Sequence, residues 1–282
     1  MGTVLVTGAS RGIGRATTLR LAADGWEVVA GVRRPEDGEA LVEEARGRVR
    51  PVRLDVTDAG DVAVLGELGP LDAVVNNAGI TVFGPLEGLA VDDVRRQLEV
   101  NVVGQVAVTQ AVLPQLRGSR GRVVFVSSLS GRVTTPLSGA YNASKYALEA
   151  VADAFRLELR PWGIRVALVE PAQVDTDIWR TADTEVDAAE RALSPEHRSL
   201  YAGHFAGFRR TIPLSRRLAV PADAVASSVA TALTSRHPRA RYVVGLGPKA
   251  QAVLSDATPT VVRDAVLRRV TGVPGKVPGR GA

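Results

Sequence analysis

The chain has 282 residues, of which 45% are hydrophobic and 23% charged, and its formal net charge is +5. This composition predicts a folded protein with a substantial core, and the lack of cysteine excludes disulfide scaffolds, thiolate zinc sites and cysteine nucleophiles. No run approaches the ~18 consecutive apolar residues of a transmembrane helix, and no basic segment precedes an apolar stretch at the start of the chain. We therefore predict a cytoplasmic protein without a metal site.

The C-terminal part of the chain carries most of the positive charge. From Arg236 onward there are nine Lys and Arg residues against two Asp and Glu residues. Apolar residues alternate with these charges at helical spacing, which favours one solvated helix face over a surface for nucleic acid. We predict no nucleic-acid partner, and we regard contact of this tail with a membrane surface as the less favoured alternative.

Short β-branched runs alternate with helix-length amphipathic stretches along most of the chain. This pattern predicts right-handed βαβ crossovers and a parallel sheet with helices on both faces, which is a doubly wound α/β fold. The predicted strands are Thr3–Thr7, Glu27–Val32, Arg48–Leu54, Leu71–Val75, Arg122–Ser127, Ile164–Val169 and Arg241–Val244. Predicted helices include Gly14–Ala23, Val91–Leu116 and Ala140–Leu159.

Two segments interrupt the alternation. Residues 177–220 lose the apolar period, and this length without clear strands is typical of a lid or binding loop. We predict that residues 1–245 form the catalytic domain with 177–220 as a substrate lid, and that 246–282 form a helical extension with a frayed end. The lid contains four aromatic residues, namely Trp179, Tyr201, Phe205 and Phe208.

A glycine-rich turn lies between the first predicted strand and the first predicted helix. Gly8, Gly12 and Gly14 allow a tight turn and close approach of a ligand, and the helix N-terminus offers free N–H groups to a phosphate. The turn therefore predicts a dinucleotide site. The same stretch also reads as a G-x-S-x-G nucleophile elbow centred on Ser10, which is typical of a serine hydrolase. Only nine residues precede Ser10, too few to supply the upstream loop of an oxyanion hole, so we favour the dinucleotide site.

Tyr141 and Lys145 are four residues apart at the start of a predicted helix and would project from one face. A free phenol has a pKa of ~10, and a nearby ammonium favours the phenolate. We therefore expect Lys145 to lower the pKa of Tyr141 toward the range that acid–base catalysis requires. Ser128 and Asn76–Gly79 end other predicted strands. Because ligands bind beyond the carboxyl ends of parallel strands, we expect these groups to share one cleft.

With these motifs the chain resembles the short-chain dehydrogenase/reductase family over its first 245 residues. The resemblance implies a Rossmann-type domain whose seven-stranded parallel sheet has the order 3-2-1-4-5-6-7. It also implies hydride transfer with a nicotinamide cofactor. The matching motifs are Thr7–Gly14, Asp55-Val56, Asn76–Gly79, Asn101, Ser128, Tyr141-x-x-x-Lys145 and Pro171 through Thr176.

The resemblance also implies a role for each matching residue. Tyr141 would be the acid/base on the substrate oxygen, Ser128 would hydrogen-bond that oxygen, and Lys145 would hold the nicotinamide ribose. Asn101 would support a water linked to the lysine, although it could simply bond a backbone carbonyl inside its helix. The implied cofactor contacts are Gly8, Ser10, Arg11, Gly12, Ile13 and Gly14 in the turn, Asp55 and Val56 beside the adenine, Asn77, Ala78 and Gly79 beside its ribose, Val174 and Thr176 beside the carboxamide, and Pro171 in the same segment.

The residues after the second predicted strand predict a preference for NADP(H) over NAD(H). An NAD enzyme places a carboxylate there for the ribose 2′-OH, whereas this chain has Val32 followed by Arg33 and Arg34. A guanidinium can pair with a 2′-phosphate, and Arg11 adds a further positive charge. The alternative is that these are ordinary surface arginines of an arginine-rich chain.

The substrate is predicted from the lid and the C-terminal segment. Aromatic residues in a lid suit an apolar carbonyl compound or secondary alcohol, and the end of the chain looks most like the retinol and 17β-hydroxysteroid dehydrogenase branch. Ala172 stands where the family usually has glycine after Pro171, which affects the shape of the substrate site. We expect a homodimer or homotetramer, as is common in the family. An NADP-binding regulator on the same fold is the alternative from another functional class.

Overall fold

The computed structural model describes residues 2–176, 180–245 and 258–273. Its main sheet contains seven parallel strands in the order β3-β2-β1-β4-β5-β6-β9. These strands are β1 (Thr3–Thr7), β2 (Glu27–Val32), β3 (Val49–Arg53), β4 (Ala73–Asn76), β5 (Arg122–Val126), β6 (Arg165–Pro171) and β9 (Arg241–Val244). The Rossmann-like fold and the predicted order of its seven strands are confirmed.

Two further strands, β7 (Val174–Asp175) and β8 (Val220–Pro221), pair in parallel as a separate small sheet. They bracket the segment 177–220, so this segment leaves and returns to the body of the protein at one place. The sequence analysis did not identify either strand, because a two-residue strand carries no detectable alternation.

Helices cover both faces of the main sheet. On one face α1 and α9 contribute Leu21, Val225 and Val229 to a core that includes Val4 and Val6 of β1. On the other face α5 and α6 pack against Leu5 of β1 and against the side chains of the neighbouring strands that point to the same side, such as Val74 and Phe125. The helices are α1 (Gly12–Ala23), α2 (Pro35–Glu44), α3 (Ala59–Ala63), α4 (Val91–Leu98), α5 (Gly104–Ser119), α6 (Gly139–Glu158), α7 (Ala182–Ala192), α8 (Pro195–Leu218), α9 (Ala222–Thr234) and α10 (Thr260–Thr271).

The long helix predicted over Val91–Leu116 is divided in the structure. Residues Glu99–Val103 form a π-helical turn between α4 and α5. Such turns widen the helix by one residue and occur frequently at functional sites. The turn places Asn101 in the interior, with no solvent exposure.

The segment 177–220 differs from the irregular loop that its lack of apolar period suggested. Its described part consists mainly of α7 and α8, which we call the helical cap. The cap has a small core of its own around Val186, Phe205 and Ile212, and this core includes Leu137 from the loop before α6. The apolar period was obscured because each cap helix buries only a few side chains.

The helix predicted after Gly247 is present as α10, which packs against α8. Among the described helices, none combines the length and apolar character that crossing a bilayer requires. In the same part of the chain, no group of three or more His, Asp or Glu side chains is arranged to hold a metal ion.

Candidate active site

Two of the three glycines in the turn after β1 adopt backbone angles that other residues rarely take. Gly8 has φ +63° and Gly12 has φ +54°, which is the left-handed region where a Cβ is unfavourable. At Gly12, a Cβ would also lie 3.3 Å from Cγ2 of Thr176. The turn and the segment after β6 are therefore in direct contact, as the predicted cleft requires.

Gly14 is needed for a different reason, which is close packing. A Cβ on this residue would lie 2.1 Å from the carbonyl oxygen of Gly8 and 2.5 Å from Nδ2 of Asn77. That Nδ2 group donates to the carbonyl oxygens of Thr7 (3.0 Å) and Gly8 (3.1 Å). Asn77 therefore fixes the course of the glycine turn from the neighbouring strand, and only glycine at position 14 leaves room for this arrangement.

Thr7, at the end of β1, is a residue of this site that the sequence analysis did not single out. Its hydroxyl oxygen accepts the backbone N–H groups of Asn77 (3.0 Å) and Ala78 (2.9 Å). Since β1 and β4 are adjacent, a buried threonine at the end of β1 can reach these donors. The end of β4 and the glycine turn are thus held together by four hydrogen bonds.

The N-terminus of α1 is free to accept a phosphate. Its N-cap residue Arg11 makes no side-chain capping bond, and no acidic residue stands in the first turn. The first N–H groups of a helix carry partial positive charge and lack partners within the helix. Ser10 and Ile13 are partly buried in this turn, and Ser10 has no hydrogen bond to a histidine within the described residues, so nothing here activates Ser10 as a nucleophile.

Asn101 links the loop after β4 to helix α6. Its Oδ1 atom accepts the N–H of Ile80 at 2.8 Å, and its Nδ2 atom donates to the carbonyl oxygen of Ile80 at 3.0 Å and to Oγ of Ser144 at 3.1 Å. A Cβ on Gly79 would approach Oδ1 of Asn101 to 3.3 Å. The side-chain amide of Asn101 is therefore occupied by structural hydrogen bonds, and the backbone carbonyl that it bonds belongs to Ile80 in the loop after β4 rather than to its own helix.

Ser128, Tyr141 and Lys145 converge at the carboxyl end of β5. Ser128 is 8% exposed and lies close enough to the phenol of Tyr141 to lower the pKa of that group. Its Oγ also accepts the N–H of Ser130 at 3.1 Å, which caps the short turn after β5. The Nζ atom of Lys145 lies 5.7 Å from the centre of the Tyr141 ring and donates to the carbonyl oxygen of Val126 at 2.9 Å. The three predicted catalytic side chains are therefore brought together.

The pKa of Tyr141 moves in the opposite direction to the one expected. Burial raises the pKa of this phenol, and the opposing contribution comes from Ser128. The expectation that Lys145 lowers this pKa is not met, because the ammonium lies over the ring and is directed to the carbonyl of Val126. The phenol is therefore protonated at neutral pH, which is the form that a general acid needs.

The pKa of Lys145 is lowered to about 8, because burial disfavours the ammonium, while the carboxylate of Glu149 acts to raise it. Its side chain is 5% exposed. An ammonium has three N–H donors, of which one bonds Val126 in the described structure. The other two are available for hydroxyl groups of a ligand.

Asp55 and Val56 lie just beyond β3, with different surroundings. Asp55 accepts the N–H of Thr57 at 3.0 Å, and this hydrogen bond is the main reason that the pKa of its carboxyl is lowered. Val56 is buried, and a Cβ on Gly104 would lie 2.8 Å from its Cγ2 atom. Helix α5 therefore begins directly against the strand end where an adenine is predicted.

The arginines predicted to select the cofactor lie on the surface. Arg11, Arg33 and Arg34 are exposed. Arg34 is engaged with Asp37 (2.9 Å) at the start of α2. Arg33 has no ion pair within the described residues and affects the pKa of Asp55 through its charge, so it is the better placed of the two for a new anion.

The segment after β6 closes the cleft. Pro171 is the last residue of β6 and is buried, and Val174 in β7 is buried as well. Thr176 contacts the glycine turn as described above. Ala172 is partly buried between them, so the methyl group that replaces the usual glycine lies within the site-forming segment.

The aromatic residues of the helical cap attach the cap to the body of the protein. Phe205 is fully buried, and the ring of Phe208 lies 4.6 Å from that of Phe83, measured between ring centres. The hydroxyl of Tyr201 donates to Glu87 at 2.6 Å. Trp179 lies outside the described residues.

Behind Lys145, sequence reasoning missed a buried cluster of charges. Its signal was present, since Glu149 follows Lys145 by one helical turn and Glu170 precedes Pro171 within an apolar strand. The members are Arg132, Glu149, Asp153, Glu170 and Arg241, joined by ion pairs of 2.7–3.2 Å.

Comparison with known proteins places this geometry in a known context. A family model described as short chain dehydrogenase matches residues 2–187. An NADPH-dependent 3-dehydrocapnine reductase of Ornithobacterium rhinotracheale is 35% identical over 253 residues, covering 85% of this chain and 87% of that protein. Retinol dehydrogenase 5 of Mus musculus is 35% identical over 280 residues, covering 94% of this chain and 87% of that protein.

A solved structure of a short chain dehydrogenase is also similar to this chain. The crystal structure of a short chain dehydrogenase from Burkholderia cenocepacia J2315 in complex with NADP has a TM-score of 0.73 and 25% sequence identity with this chain. The match covers 95% of this chain and 96% of the other.

Proposed function

The chain belongs to the short-chain dehydrogenase/reductase family, and on that premise we propose that it is an NADP(H)-dependent oxidoreductase acting on a carbonyl group or secondary alcohol. The observation that carries the proposal is the convergence of Ser128, Tyr141 and Lys145 at one strand end, beside the glycine turn. A hydride-transfer enzyme needs a proton donor and an anchored nicotinamide at the same carbonyl, and this arrangement provides groups for both.

The residues present fit a nicotinamide dinucleotide. The uncapped N-terminus of α1 offers N–H groups to its phosphates. The two spare N–H donors of Lys145 suit the hydroxyl groups of the nicotinamide ribose. Gly8 and Gly12 have no side chains, so a ligand can approach the backbone of the turn closely at these two positions.

We assign the steps of the reaction to individual side chains. Ser128 and Tyr141 both donate hydrogen bonds to the oxygen of the bound carbonyl and so hold it in place. When bound, the reduced cofactor supplies a hydride to the carbonyl carbon. As negative charge develops on the oxygen, Tyr141 gives up its phenolic proton to it. Lys145 holds the ribose of the nicotinamide through its remaining N–H groups. The reverse sequence, in which the phenolate takes up the proton of the hydroxyl, oxidises an alcohol.

NADP(H) is the proposed cofactor for two reasons. One relative is named as NADPH-dependent, and one similar structure holds NADP. In this chain, no acidic side chain directly follows β2, and the exposed Arg33 has no ion pair within the described part of the chain. Arg33 could therefore pair with a 2′-phosphate, which NAD lacks.

Replacing Arg33 with aspartate should weaken the use of NADPH selectively. We expect kcat/KM with NADPH to fall about thirtyfold, mainly through KM, because a charge-assisted contact worth about 2 kcal/mol is lost. The value with NADH should change by less than about threefold. Steady-state kinetics with both cofactors measure this, and Arg46→Asp, an exposed site beyond α2, is the control for the change of charge. Equal loss with both cofactors would contradict the role of Arg33.

We propose a lipophilic substrate held under the helical cap. The cap core contains Leu137, which precedes Tyr141 by four residues, so the segment that leads to the reacting phenol is also part of the cap core. We likewise propose that residues 1–245 form the catalytic domain, that residues 177–220 form its substrate lid, and that residues 246–282 form a C-terminal extension. Homodimer or homotetramer formation and the cytoplasmic location stay predictions.

A panel of carbonyl compounds tests the proposed function. Aldehydes and ketones of increasing chain length should be reduced with NADPH, with kcat/KM rising as the apolar part grows. Better turnover of short polar oxo-acids would contradict the lipophilic substrate. NADPH binding without turnover of any carbonyl in the panel would instead support a regulator that senses the cofactor.

A further inference from the structure

The buried charge cluster behind the active site is not explained by the proposed chemistry. Glu170 has no solvent exposure, and Arg132 pairs with both of its carboxylate oxygens, at 2.7 and 3.0 Å. Arg241 of β9 reaches Glu170 at 3.2 Å, Glu149 at 2.9 Å and Asp153 at 2.7 Å. Glu149 and Glu170 are both buried; burying charges costs free energy, and replacing buried ion pairs by apolar side chains is often neutral or stabilising. Stability alone therefore does not account for the cluster.

The cluster contains three carboxylates and two guanidinium groups, and its outer carboxylate, Asp153, is also paired with Arg156 at 3.1 Å. The carboxylate nearest to Lys145 along α6 is Glu149, one helical turn further along the buried face of the helix. Because residues four apart on a helix are neighbours, the charges of Lys145 and Glu149 act on each other.

Lys145 and Glu149 also face the same strand end. Lys145 donates to the carbonyl of Val126, and Glu149 lies near the next residue, Ser127, whose hydroxyl has no hydrogen-bond partner in the described structure. One carboxylate oxygen of Glu149 is held by Arg241, and the other, Oε1, has no hydrogen-bond partner in the described structure. Glu149 is 9% exposed. The carboxylate of Glu149 is therefore buried on α6 near the ammonium of Lys145, and Arg241 of β9 bonds only one of its two oxygens.

A cavity of about 250 Å³ lies against Glu149 and is lined by Gly131, Arg132, Glu149 and Arg241. The side chains of Arg132 and Arg241 are 20% and 27% exposed, so the cavity reaches the surface at the rear of the site. Gly131 keeps it open toward the helix, because a Cβ there would lie 2.9 Å from Cγ of Glu149.

We propose that Glu149 is a positioning residue for Lys145: anchored by Arg241, it supplies from behind the active site the carboxylate that keeps the ammonium protonated and in place. The importance of this interaction for catalysis rests on the proposed function. The effect of Glu149 on the protonation of Lys145 does not depend on it. Because Arg241 lies on β9, at the edge of the sheet, this strand also influences the protonation of Lys145.

The charged groups around Glu149 come from every element packed against it, and their effects have defined signs. Glu170 repels the ionised form of Glu149 and raises its pKa, as does burial, whereas Arg241 and Ser127 lower it. The facing groups are Lys145 and Asp153 on α6, Glu170 on β6, Arg241 on β9, and Ser127 and Arg132 at and beyond the end of β5. Loss of the Glu149 charge leaves Lys145 with burial alone, which favours its neutral form.

The composition of the chain makes a direct measurement possible. Lys145, Lys249 and Lys276 are its only lysines, so the full-length protein labelled with ¹³C at lysine Cε should give three NMR signals, of which Lys145→Arg identifies one. In the wild type, we expect the Lys145 signal to titrate near pH 8, where the structure places its pKa at about 8. In Glu149→Gln, the midpoint should fall by about one pH unit or more. Asp153→Asn, which removes the outer carboxylate bound to the same arginine, should leave it unchanged.

A charge-conserving variant separates electrostatics from shape. Glu149→Asp retains the carboxylate at a greater distance from the Lys145 ammonium, so the midpoint should fall by less than in Glu149→Gln. The aspartate variant tests the proposal even if the glutamine variant does not fold. An unchanged midpoint in the folded glutamine variant, or in the aspartate variant if only that one folds, would overturn the proposal. Equal shifts in both variants would overturn it as well. Because no turnover is needed, failure of the proposed function would not affect this result.

The same ionisation predicts the pH dependence of activity. Carbonyl reduction needs Lys145 protonated, so kcat/KM with NADPH should be constant below pH 8 and fall above it. In Glu149→Gln, the fall should begin about one unit lower, so the loss relative to the wild type should be about fivefold at pH 8 and less than about twofold at pH 6. Matching pH profiles of the two proteins would contradict this expectation.

Discussion

Replacing Tyr141 with phenylalanine is expected to lower kcat for NADPH-dependent carbonyl reduction by a factor on the order of 10²–10⁴. The phenylalanine ring fills the same space between Ser128 and Lys145, but no proton donor remains for the developing alkoxide. KM and the affinity for NADPH should change by less than about threefold, because the proposed cofactor contacts of Lys145 and the glycine turn remain. Steady-state kinetics and a fluorescence titration with NADPH measure the two effects separately.

The neighbouring residue Tyr146 is the matched control. It lies on the same helix, is 41% exposed, and its hydroxyl bonds the carbonyl of Arg132 away from Ser128 and Lys145. Tyr146→Phe removes an identical group and should leave kcat within about twofold of the wild-type value. Similar losses in both variants would mean that Tyr141 acts through folding rather than through proton transfer.

Replacing Gly14 with alanine should have the second large effect. Its Cβ would lie 2.1 Å from the carbonyl oxygen of Gly8, far inside van der Waals contact. That carbonyl is held in place by a hydrogen bond from Asn77. Overpacking of this kind costs roughly 1–3 kcal/mol. We expect a loss near the upper end of that range in urea unfolding. The turn must shift to relieve the contact, so the affinity for NADPH should also fall at least tenfold.

Gly118→Ala provides the control for the substitution itself. Gly118 lies in α5, is exposed, and a Cβ there would meet no atom within 4 Å. Because alanine is the better helix former, this variant should be stabilised by about 0.5–1 kcal/mol. Unchanged stability and NADPH affinity in Gly14→Ala would show that the turn is more adaptable than the structure indicates.

Local pattern was sufficient to predict the sheet. Strands such as Val123–Val126 are buried on both faces and read as continuous apolar runs, and helices follow them at regular spacing. The residues at the strand ends could be predicted to meet because parallel strands end at one edge of a sheet. For this reason the glycine turn, Asn76–Gly79 and Ser128 could be expected to share one cleft, whereas helical spacing predicted only that Tyr141 and Lys145 share one face of a helix.

Features that depend on tertiary contacts could not be predicted in the same way. The pKa of Tyr141 depends on burial and on the direction of the Lys145 ammonium, which spacing along a helix does not reveal. The ion pairs of Arg241 join residues 88 and 92 positions apart. The helical cap was read as a loop because its core is completed by Leu137 and Phe83 from outside the segment.

Transfer of deuterium is the most direct test that this protein reduces a carbonyl with Tyr141 as the proton donor. NADPH carrying deuterium at both C4 positions of the nicotinamide is incubated with the best carbonyl substrate of the panel, and the product alcohol is examined by mass spectrometry. We expect one deuterium on the carbinol carbon with the wild-type protein and none above background with Tyr141→Phe in the same time. An alcohol without deuterium, or equal labelling by the variant, would contradict the proposed mechanism.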